Sequence, residues 1–536
     1  MAVATAEPRA QLRAWVSRSW PSPLPRVPLL PLGLAAAVVV VTSIPYLHAY
    51  LTQPHGRVFM GFFFLGDDAN TYLAKMREGW QGSWLWTNHY TTEPSPGAYF
   101  FTFWLALGHI AALTHLSLMA TFQAARIAGA VALLAAAWKF IEHFVADPRA
   151  RRFAIMLCAF GLGWGYLIQA LGHPLILGVR SDTLDWRMPE LTAFYSTLSL
   201  PHFIWAAAFQ AAGVVLTLRA VERGSLRWGL LAGLAWAGEA SIHAQMPILL
   251  GGATVAALLF RPPSRRGLAA AVLAFAIPAP YIVYSYLGYL TSPEVARWSA
   301  DWRNGADPEA ISLALALGPP LLLSLFAIPG VIRRRSRADV LLIAWLVLVV
   351  VIMWAPTPAA HLRRRFLDGI YLPLVVYAAR GMYEQIVPWL RRARARRLVP
   401  FAYVVMASIG SAILILAPLR LSDQPQYSLA RPQFQAMTWL ARQPAGVVLS
   451  SPSIGLLLPA YTPDTVYVGQ YSETYHYFQK GPLAYRLLTG RQAVAPFVAS
   501  NHVRYVFWTD EFGGLPPSGL GAPAYTGSGV RVYRMY

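Results

Sequence analysis

Apolar stretches long enough to cross a lipid bilayer recur along most of this chain, and they limit its possible folds more than any other feature. A helix needs about 20 apolar residues to span the hydrocarbon core of a membrane. Such runs recur from Leu29 to Ala417 in a 536-residue sequence that is 56% hydrophobic and only 13% charged. Soluble domains carry about twice that share of charged residues. The sequence therefore predicts a polytopic α-helical membrane protein.

The apolar runs also predict where the membrane helices lie. Segment 99–114 contains Gly108 and His109, and we expect it to be re-entrant or interfacial. About eleven crossings are then favoured, within a range of about 11 to 13. The candidate helices are 29–47, 99–114, 119–145, 153–171, 203–221, 227–243, 245–260, 268–290, 309–329, 339–355, 369–387 and 400–417.

The orientation follows from arginine-rich loops, because cytoplasmic loops of membrane proteins are enriched in basic residues. This pattern explains the formal net charge of +20 better than a nucleic-acid partner does, and none is expected. Residues 1–28 are predicted to be a basic cytoplasmic N-terminus followed by an uncleaved first helix. The other predicted cytoplasmic loops are 149–152, 222–227, 261–266, 333–337 and 391–397.

The opposite side of the membrane then receives the long loops. A transmembrane domain at 29–418 is predicted to expose outer loops 51–97, 172–202, 291–308 and 356–368. The tail, 419–536, is predicted to be a small soluble α/β domain outside the cytoplasmic (inner) membrane. Short apolar strands at 447–450, 466–469, 503–509 and 530–535 alternate there with helical stretches at 432–442 and 480–489.

The first outer loop contains adjacent acidic residues, Asp67 and Asp68, followed by Tyr72 and, further on, Glu93. A carboxylate pair at a membrane surface can bind a divalent cation or take a proton from a hydroxyl nucleophile. Two neighbouring carboxylates also raise the pKa of one another. The alternative interpretation is that one aspartate only caps the helix that follows.

The loop 356–368 contains three consecutive arginines, Arg363, Arg364 and Arg365, after His361. Their predicted outer position contradicts the usual distribution of positive charge and calls for a specific explanation. Guanidinium groups bind phosphate oxygens in a bidentate manner, so a lipid phosphate is the expected ligand. Non-specific headgroup contact, or pairing with Asp368, is the alternative.

Ionisable residues near the outer ends of helices are further candidates. Glu239 and His243 lie four residues apart and therefore share one helix face, and ionisable side chains at membrane depth are costly unless they have a role. The same two residues could instead form a hydrogen-bonded pair that only stabilises the packing of the helices. His202 begins another helix and is a candidate for substrate contact, although single histidines are more often structural.

In the tail, a polar and aromatic stretch from Gly469 to Tyr477 includes Glu473. Such a loop could grip a sugar ring, so Glu473 is a substrate-pocket candidate together with Tyr72, Glu93 and His202. The alternative is an ordinary surface loop.

The chain resembles the GT-C superfamily of membrane glycosyltransferases, in particular bacterial relatives of the dolichyl-phosphate-mannose and lipid-A aminoarabinose transferases. The resemblance covers about 418 residues of architecture and two local patterns. Asp67, Asp68 and Tyr72 match an acidic motif in the first outer loop, and Arg364, Arg365 and Phe366 match a late arginine and aromatic pair before a proline-bearing helix. The polar segment 93–97 departs from the usual proline-rich start of the second helix.

The resemblance implies a polyprenyl-phosphate-linked sugar donor, an inverting transfer to an unidentified acceptor on the outer face, and a divalent cation as an optional cofactor. It implies a catalytic or metal-linked role for Asp67 or Asp68, and phosphate contacts from Arg364 or Arg365. Two other classes compete. Glu239 and His243 also suit a transporter or flippase of lipid or polysaccharide, and the tail could belong to a non-catalytic scaffold for envelope assembly.

Overall fold

The computed structural model describes residues 29–291, 309–354 and 360–536. The predicted basic N-terminus, most of the predicted outer loop 291–308 and the first part of loop 356–368 lie outside these residues.

The first half of the described chain is mostly helical. Its helices are α1 (Leu29–Leu51), α2 (Gly66–Trp80), α3 (Thr102–Thr114), α4 (Leu118–Phe144), α5 (Pro148–Phe160), α6 (Gly165–Ala170), α7 (Leu184–Arg187), α8 (Ala193–Leu198), α9 (Pro201–Arg223), α10 (Leu226–Ala240), α11 (Met246–Phe260), α12 (Arg265–Ala276) and α13 (Ala279–Thr291). Three short strands interrupt them, namely β1 (Arg57–Phe59), β2 (Leu175–Ile176) and β3 (Val179–Arg180).

Helices continue to residue 421 and then alternate with strands. The helices are α14 (Ala310–Leu325), α15 (Ile328–Arg334), α16 (Arg337–Trp354), α17 (Tyr371–Arg380), α18 (Val387–Trp389), α19 (Ala393–Leu421), α20 (Arg431–Leu440), α21 (Pro452–Tyr461), α22 (Tyr477–Leu488) and α23 (Val494–Ser500). The strands are β4 (Ser428–Ala430), β5 (Val447–Leu449), β6 (Thr465–Val466), β7 (Val503–Thr509), β8 (Tyr525–Gly527) and β9 (Val530–Arg534).

Several helices have the length and composition of membrane spans. Helices α1, α4, α9, α16 and α19 are long and apolar enough to cross a bilayer, and the bent pairs α12/α13 and α14/α15 bring the number to seven if each pair is one span. Helix α3, from the predicted re-entrant segment, has 13 residues and covers about 20 Å, less than the hydrocarbon thickness. The described chain is thus a multi-pass membrane protein, while the count of about eleven crossings stays a prediction.

The helices enclose one large apolar core, which includes the fully buried rings of Phe140, Trp236 and Trp345. Helices α9 and α10 approach each other closely because Gly213 carries no side chain. A Cβ atom there would lie 2.7 Å from the Trp236 ring. The Trp236 indole then donates a hydrogen bond to the Thr217 hydroxyl over 3.0 Å, which links α9 to α10 within the core.

The tail contains a five-stranded sheet in the order β6-β5-β7-β9-β8. Strands β6, β5 and β7 are parallel, and β9 is antiparallel to both β7 and β8. Helices cover both faces, since α20 and α21 contribute to the core on one side and α22 and α23 to the core on the other. The predicted strand segments 447–450, 503–509 and 530–535 match β5, β7 and β9, whereas the predicted segment 466–469 shares only Val466 with β6.

The first loop of the chain and the tail share one apolar core. Strand β1 pairs with β4, with Arg57 opposite Ala430, and Met60, Ala74 and Tyr90 pack against the α20 and α21 face of the sheet. The tail therefore shares its core with residues 57–90, and its predicted standing as a separate domain from residue 419 stays a prediction. This arrangement holds α2 between the membrane helices and the sheet.

Candidate active site

Helix α2 places the acidic pair of the first loop. It begins at Gly66, after Leu65 in a left-handed conformation (φ 50°), and no side chain caps it. The alternative that Asp67 or Asp68 is a capping residue is therefore wrong. Both lie in the first turn, where the helix dipole favours negative charge.

The two aspartates face different cavities, although they are adjacent in sequence. Asp68 lines a central cavity. Asp67 is exposed and lines a second cavity against the tail. Tyr471 lies on both cavities. Consecutive helical residues point about 100° apart, so the two carboxylates reach different cavities.

Aromatic rings form one wall of the central cavity. The Tyr72 ring stacks on Trp104 with centroids 4.3 Å apart, and His202 lies 4.9 Å from Tyr72 and 5.4 Å from Trp104. The His202 side chain is 3% exposed, and neither of its ring nitrogens has a hydrogen-bond partner. A buried polar group without a partner is costly, so His202 is more than a satisfied core residue. The structure places it where a ligand in the cavity would meet it.

The arginine triplet lies in a 3₁₀ helix, Ala360–Leu367. Arg365 lines the central cavity, whereas Arg363 and Arg364 are not among the lining residues. Arg364 still acts electrostatically on Tyr471 at the cavity edge. The side chain of His361 lies outside the described residues.

The charges of Arg365 and Asp68 influence each other across the cavity. Burial raises the pKa of Asp68, and the Arg365 charge partly offsets this effect. Burial disfavours the Arg365 charge, but Tyr72, Glu190 and Asp68 outweigh it and raise the pKa of the guanidinium. The cavity therefore holds a permanent cation beside a carboxyl group whose proton affinity exceeds that of a free aspartate.

Glu239 and His243 converge with Asp368, which the sequence links only to the arginines. His243 Nδ1 lies 3.0 Å from Asp368 Oδ2 and 3.9 Å from Glu239 Oε1. His243 lines the cavity, and one ligand atom from each of the three lies within 4.8 Å of the others. Among the residues that the structure describes, these three side chains form the group of histidine and carboxylate ligands that lie close enough together to hold one metal ion. Asp67 and Asp68, the expected metal ligands, have no third ligand of this kind there.

Glu473 connects the tail to the cavity. It is buried, lines the cavity and forms an ion pair with Lys75 Nζ over 2.7 Å. Most of the stretch from Gly469 to Tyr477 is buried, so the alternative of a surface loop is wrong. Glu93, by contrast, does not line the cavity and pairs with Lys480 over 2.7 Å.

Sequence reasoning missed Lys75 and Gln210. Lys75 is a buried cation one turn after Tyr72, with its ammonium 4.3 Å from the Phe101 ring centroid, and Gln210 is a fully buried amide in α9. A lone charged or amide residue on an otherwise buried helix face was the signal available for both.

Solved structures provide a comparison for this architecture. The crystal structure of the Archaeoglobus fulgidus oligosaccharyltransferase tethered to an acceptor peptide has a TM-score of 0.53 at 14% identity, over 93% of this chain and 70% of that one. Its apo form has a TM-score of 0.51 at 15% identity, over 90% and 70%. ArnT from Cupriavidus metallidurans bound to undecaprenyl phosphate has a TM-score of 0.48 at 12% identity, over 94% and 98%.

The chain has the GT-C fold. This assignment depends on the two oligosaccharyltransferase structures, whose TM-scores exceed 0.5, and it confirms the resemblance seen in the sequence. No family model and no curated protein matches the sequence. The likeness to the GT-C fold is therefore visible in three dimensions, and it says nothing by itself about the reaction.

Proposed function

We propose that this protein is a membrane glycosyltransferase, which moves a sugar from a polyprenyl-phosphate donor to an acceptor hydroxyl at the outer face of the cytoplasmic membrane. One observation carries the proposal. The central cavity combines a carboxylate, Asp68, with a guanidinium, Arg365, and an imidazole without hydrogen-bond partners, His202. These residue types provide a proton acceptor, a phosphate ligand and a polar contact for a sugar.

The donor side of the proposal depends on Arg365. Nucleotide sugars are not present outside the cytoplasm, so a glycosyl donor there must arrive on a lipid. Its phosphate would lie near the headgroup plane, and Arg365 extends into the cavity from the loop just before α17. A guanidinium forms bidentate, charge-assisted hydrogen bonds with phosphate oxygens.

The acceptor side depends on Asp68. Its carboxylate removes the proton from an acceptor hydroxyl as the oxygen attacks the anomeric carbon of the sugar. The bond between that carbon and the phosphate oxygen breaks at the same time, and its electron pair leaves with the polyprenyl phosphate. Arg365 stabilises the negative charge that develops on this leaving group. A raised pKa of Asp68 favours this role, because a more basic carboxylate accepts a proton more readily.

The rings of the cavity wall suit a sugar. Tyr72 and Trp104 present stacked aromatic surface next to the His202 nitrogens, and a pyranose or furanose ring needs both an apolar face and hydrogen-bond partners. Glu473 and Ser472 supply polar groups from the tail. The tail therefore helps to select the substrate as part of the cavity wall.

A donor panel tests the proposal. Purified protein in detergent or nanodiscs is incubated with radiolabelled polyprenyl-phosphate sugars and candidate acceptors, beside the variant Asp68→Asn and the control Asp423→Asn, an exposed carboxylate. We expect labelled product from one donor with the wild type and the control, and loss of product with Asp68→Asn. Equal product from Asp68→Asn would contradict the proposal. Lipid movement without product would favour a flippase, and indifference to all donors a scaffold.

A further inference from the structure

The second group of ionisable residues lies behind the central cavity. Glu239 is at the end of α10, His243 is in the turn after it, and Asp368 follows the arginine loop. They are 0%, 6% and 1% exposed, so their charges are removed from water. Two charged carboxylates in this small volume need positive charge to compensate them, and Arg365 acts on Asp368, which leaves room for a cation that neutralises the second carboxylate.

The contacts inside this group are not those of a hydrogen-bonded triad. His243 Nδ1 is 3.0 Å from Asp368 Oδ2, yet neither atom has hydrogen-bond geometry toward a partner. Glu239 Oε2 and Asp368 Oδ1 also lack a hydrogen-bond partner. Lone pairs from three side chains therefore point into one buried space, as they do around a metal ion.

Neighbouring residues hold these ligands in place. Gln210 Nε2 donates to Glu239 Oε1 over 3.0 Å, which orients the carboxylate as outer hydrogen bonds do around metal ligands. Gly369 (φ 73°) lets the loop approach α9, because a Cβ atom there would lie 1.9 Å from Gln210 Oε1. The backbone next to Asp368 thus packs directly against the Gln210 side chain of α9.

We propose that Glu239, His243 and Asp368 bind a divalent transition metal, of the type of Zn²⁺ or Mn²⁺. One imidazole nitrogen and two carboxylate oxygens form the mixed donor set that these ions accept. The ion completes the compensation of the two buried carboxylates and links the end of α10 to the loop that carries Arg365, three residues before Asp368. Its role is to position that loop, and it does not depend on the proposed transfer reaction.

Metal content tests the site directly. The full-length protein is purified, stripped with a chelator, desalted and re-exposed to Zn²⁺ or Mn²⁺, and bound metal is measured by inductively coupled plasma mass spectrometry. We expect about one ion per wild-type chain, and at least about a tenfold loss of affinity in Glu239→Gln, His243→Gln and Asp368→Asn. The matched control is Glu78→Gln, which also replaces a buried carboxylate with an isosteric amide.

A second measurement distinguishes the loss of metal binding from misfolding of the variants. Adding metal to the stripped wild type should raise its Tm, because a ligand that binds only the folded state stabilises it. The same addition should leave Asp368→Asn unchanged, and Co²⁺ should give the wild type a visible absorption band. Wild-type protein that binds neither metal and shows no Tm shift would overturn the proposal. Metal retained equally by the three variants would also overturn it.

Discussion

Lys75 Nζ donates a hydrogen bond to Glu473 Oε1 over 2.7 Å, although the two residues are 398 positions apart in the sequence. Both side chains are buried, and Lys75 lies in α2, directly after the residues that line the central cavity. The ion pair therefore ties the tail to the helix that carries Asp68. It also explains why the stretch around Glu473 is part of the cavity.

A double-mutant cycle measures this connection. Breaking a buried ion pair by removing one partner costs about 3–5 kcal/mol, because the other charge stays buried. We expect Lys75→Met and Glu473→Gln each to lower the Tm strongly, and the double variant to lose less than the sum of the two. The exposed pair Asp182 and Arg187 is the control, and its coupling should stay below about 1 kcal/mol. Additive losses at Lys75 and Glu473 would contradict the coupling.

The adjacent aspartates should behave differently. Asp68→Asn removes the carboxylate of the central cavity, and loss of a general base lowers turnover by about 10²- to 10⁴-fold. Asp67 faces the second cavity, so Asp67→Asn should keep most of the turnover. The measurement is kcat for sugar transfer at saturating donor and acceptor. Equal losses in both variants would show that the aspartates act as one unit.

Substitutions of the arginines should also differ in their effects on donor binding and transfer. Arg365→Lys keeps the positive charge but loses the planar guanidinium that binds phosphate oxygens in pairs, so transfer should fall and KM for the donor should rise. Arg363→Lys keeps the charge at a residue that does not line the central cavity, so it should change both by less than about threefold, which is under about 1 kcal/mol. If the two variants have the same donor KM, phosphate binding does not depend on Arg365.

The meeting of Asp68 and Arg365 could be predicted from the sequence, because the distribution of arginine-rich loops assigns both to the same side of the membrane. The division of Asp67 and Asp68 between two cavities could not. Two adjacent aspartates are expected to share one site. Only the start of helix α2 at Gly66 determines the direction in which each side chain points. Strands β5, β7 and β9 of the tail were also predictable, because alternating apolar residues determine them locally.

Contacts between distant segments account for the rest. Asp368 joins Glu239 and His243 through the approach of the arginine loop to α9 and α10, which depends on Gly369. No local pattern of apolar residues encodes such an approach. The burial of Glu473 also depends on a contact between distant segments. A polar stretch is typical of a protein surface, and only the contact with Lys75 explains why this one is buried.

The pH dependence of stability should show one buried carboxyl group in particular. Glu78 accepts a hydrogen bond from the Thr87 amide over 2.8 Å, and burial raises its pKa to about 8. The unfolded chain releases this proton near pH 4.3, so between about pH 4.3 and 8 the folded state binds more protons and stability falls as pH rises. Glu78→Gln keeps the acceptor and removes the proton. The Tm of Glu78→Gln should change less than the Tm of the wild type between pH 5.5 and 8.5. Equal changes of Tm in the two proteins would contradict the raised pKa of Glu78.

His202 should show a conflict between stability and activity. Burying two ring nitrogens without partners costs about 1–3 kcal/mol each, and a phenylalanine of similar shape would not have this cost among the rings of Tyr72 and Trp104. We expect His202→Phe to keep or raise the Tm while transfer falls, because a hydrogen bond to the substrate is lost. His89→Phe is the control, since His89 is half-buried and its Nδ1 lies 3.1 Å from the Thr465 hydroxyl. That variant should lower the Tm, because it removes a hydrogen bond present in the protein itself. If His202→Phe lowers the Tm as much as His89→Phe and leaves transfer unchanged, His202 supports only the packing of the cavity wall.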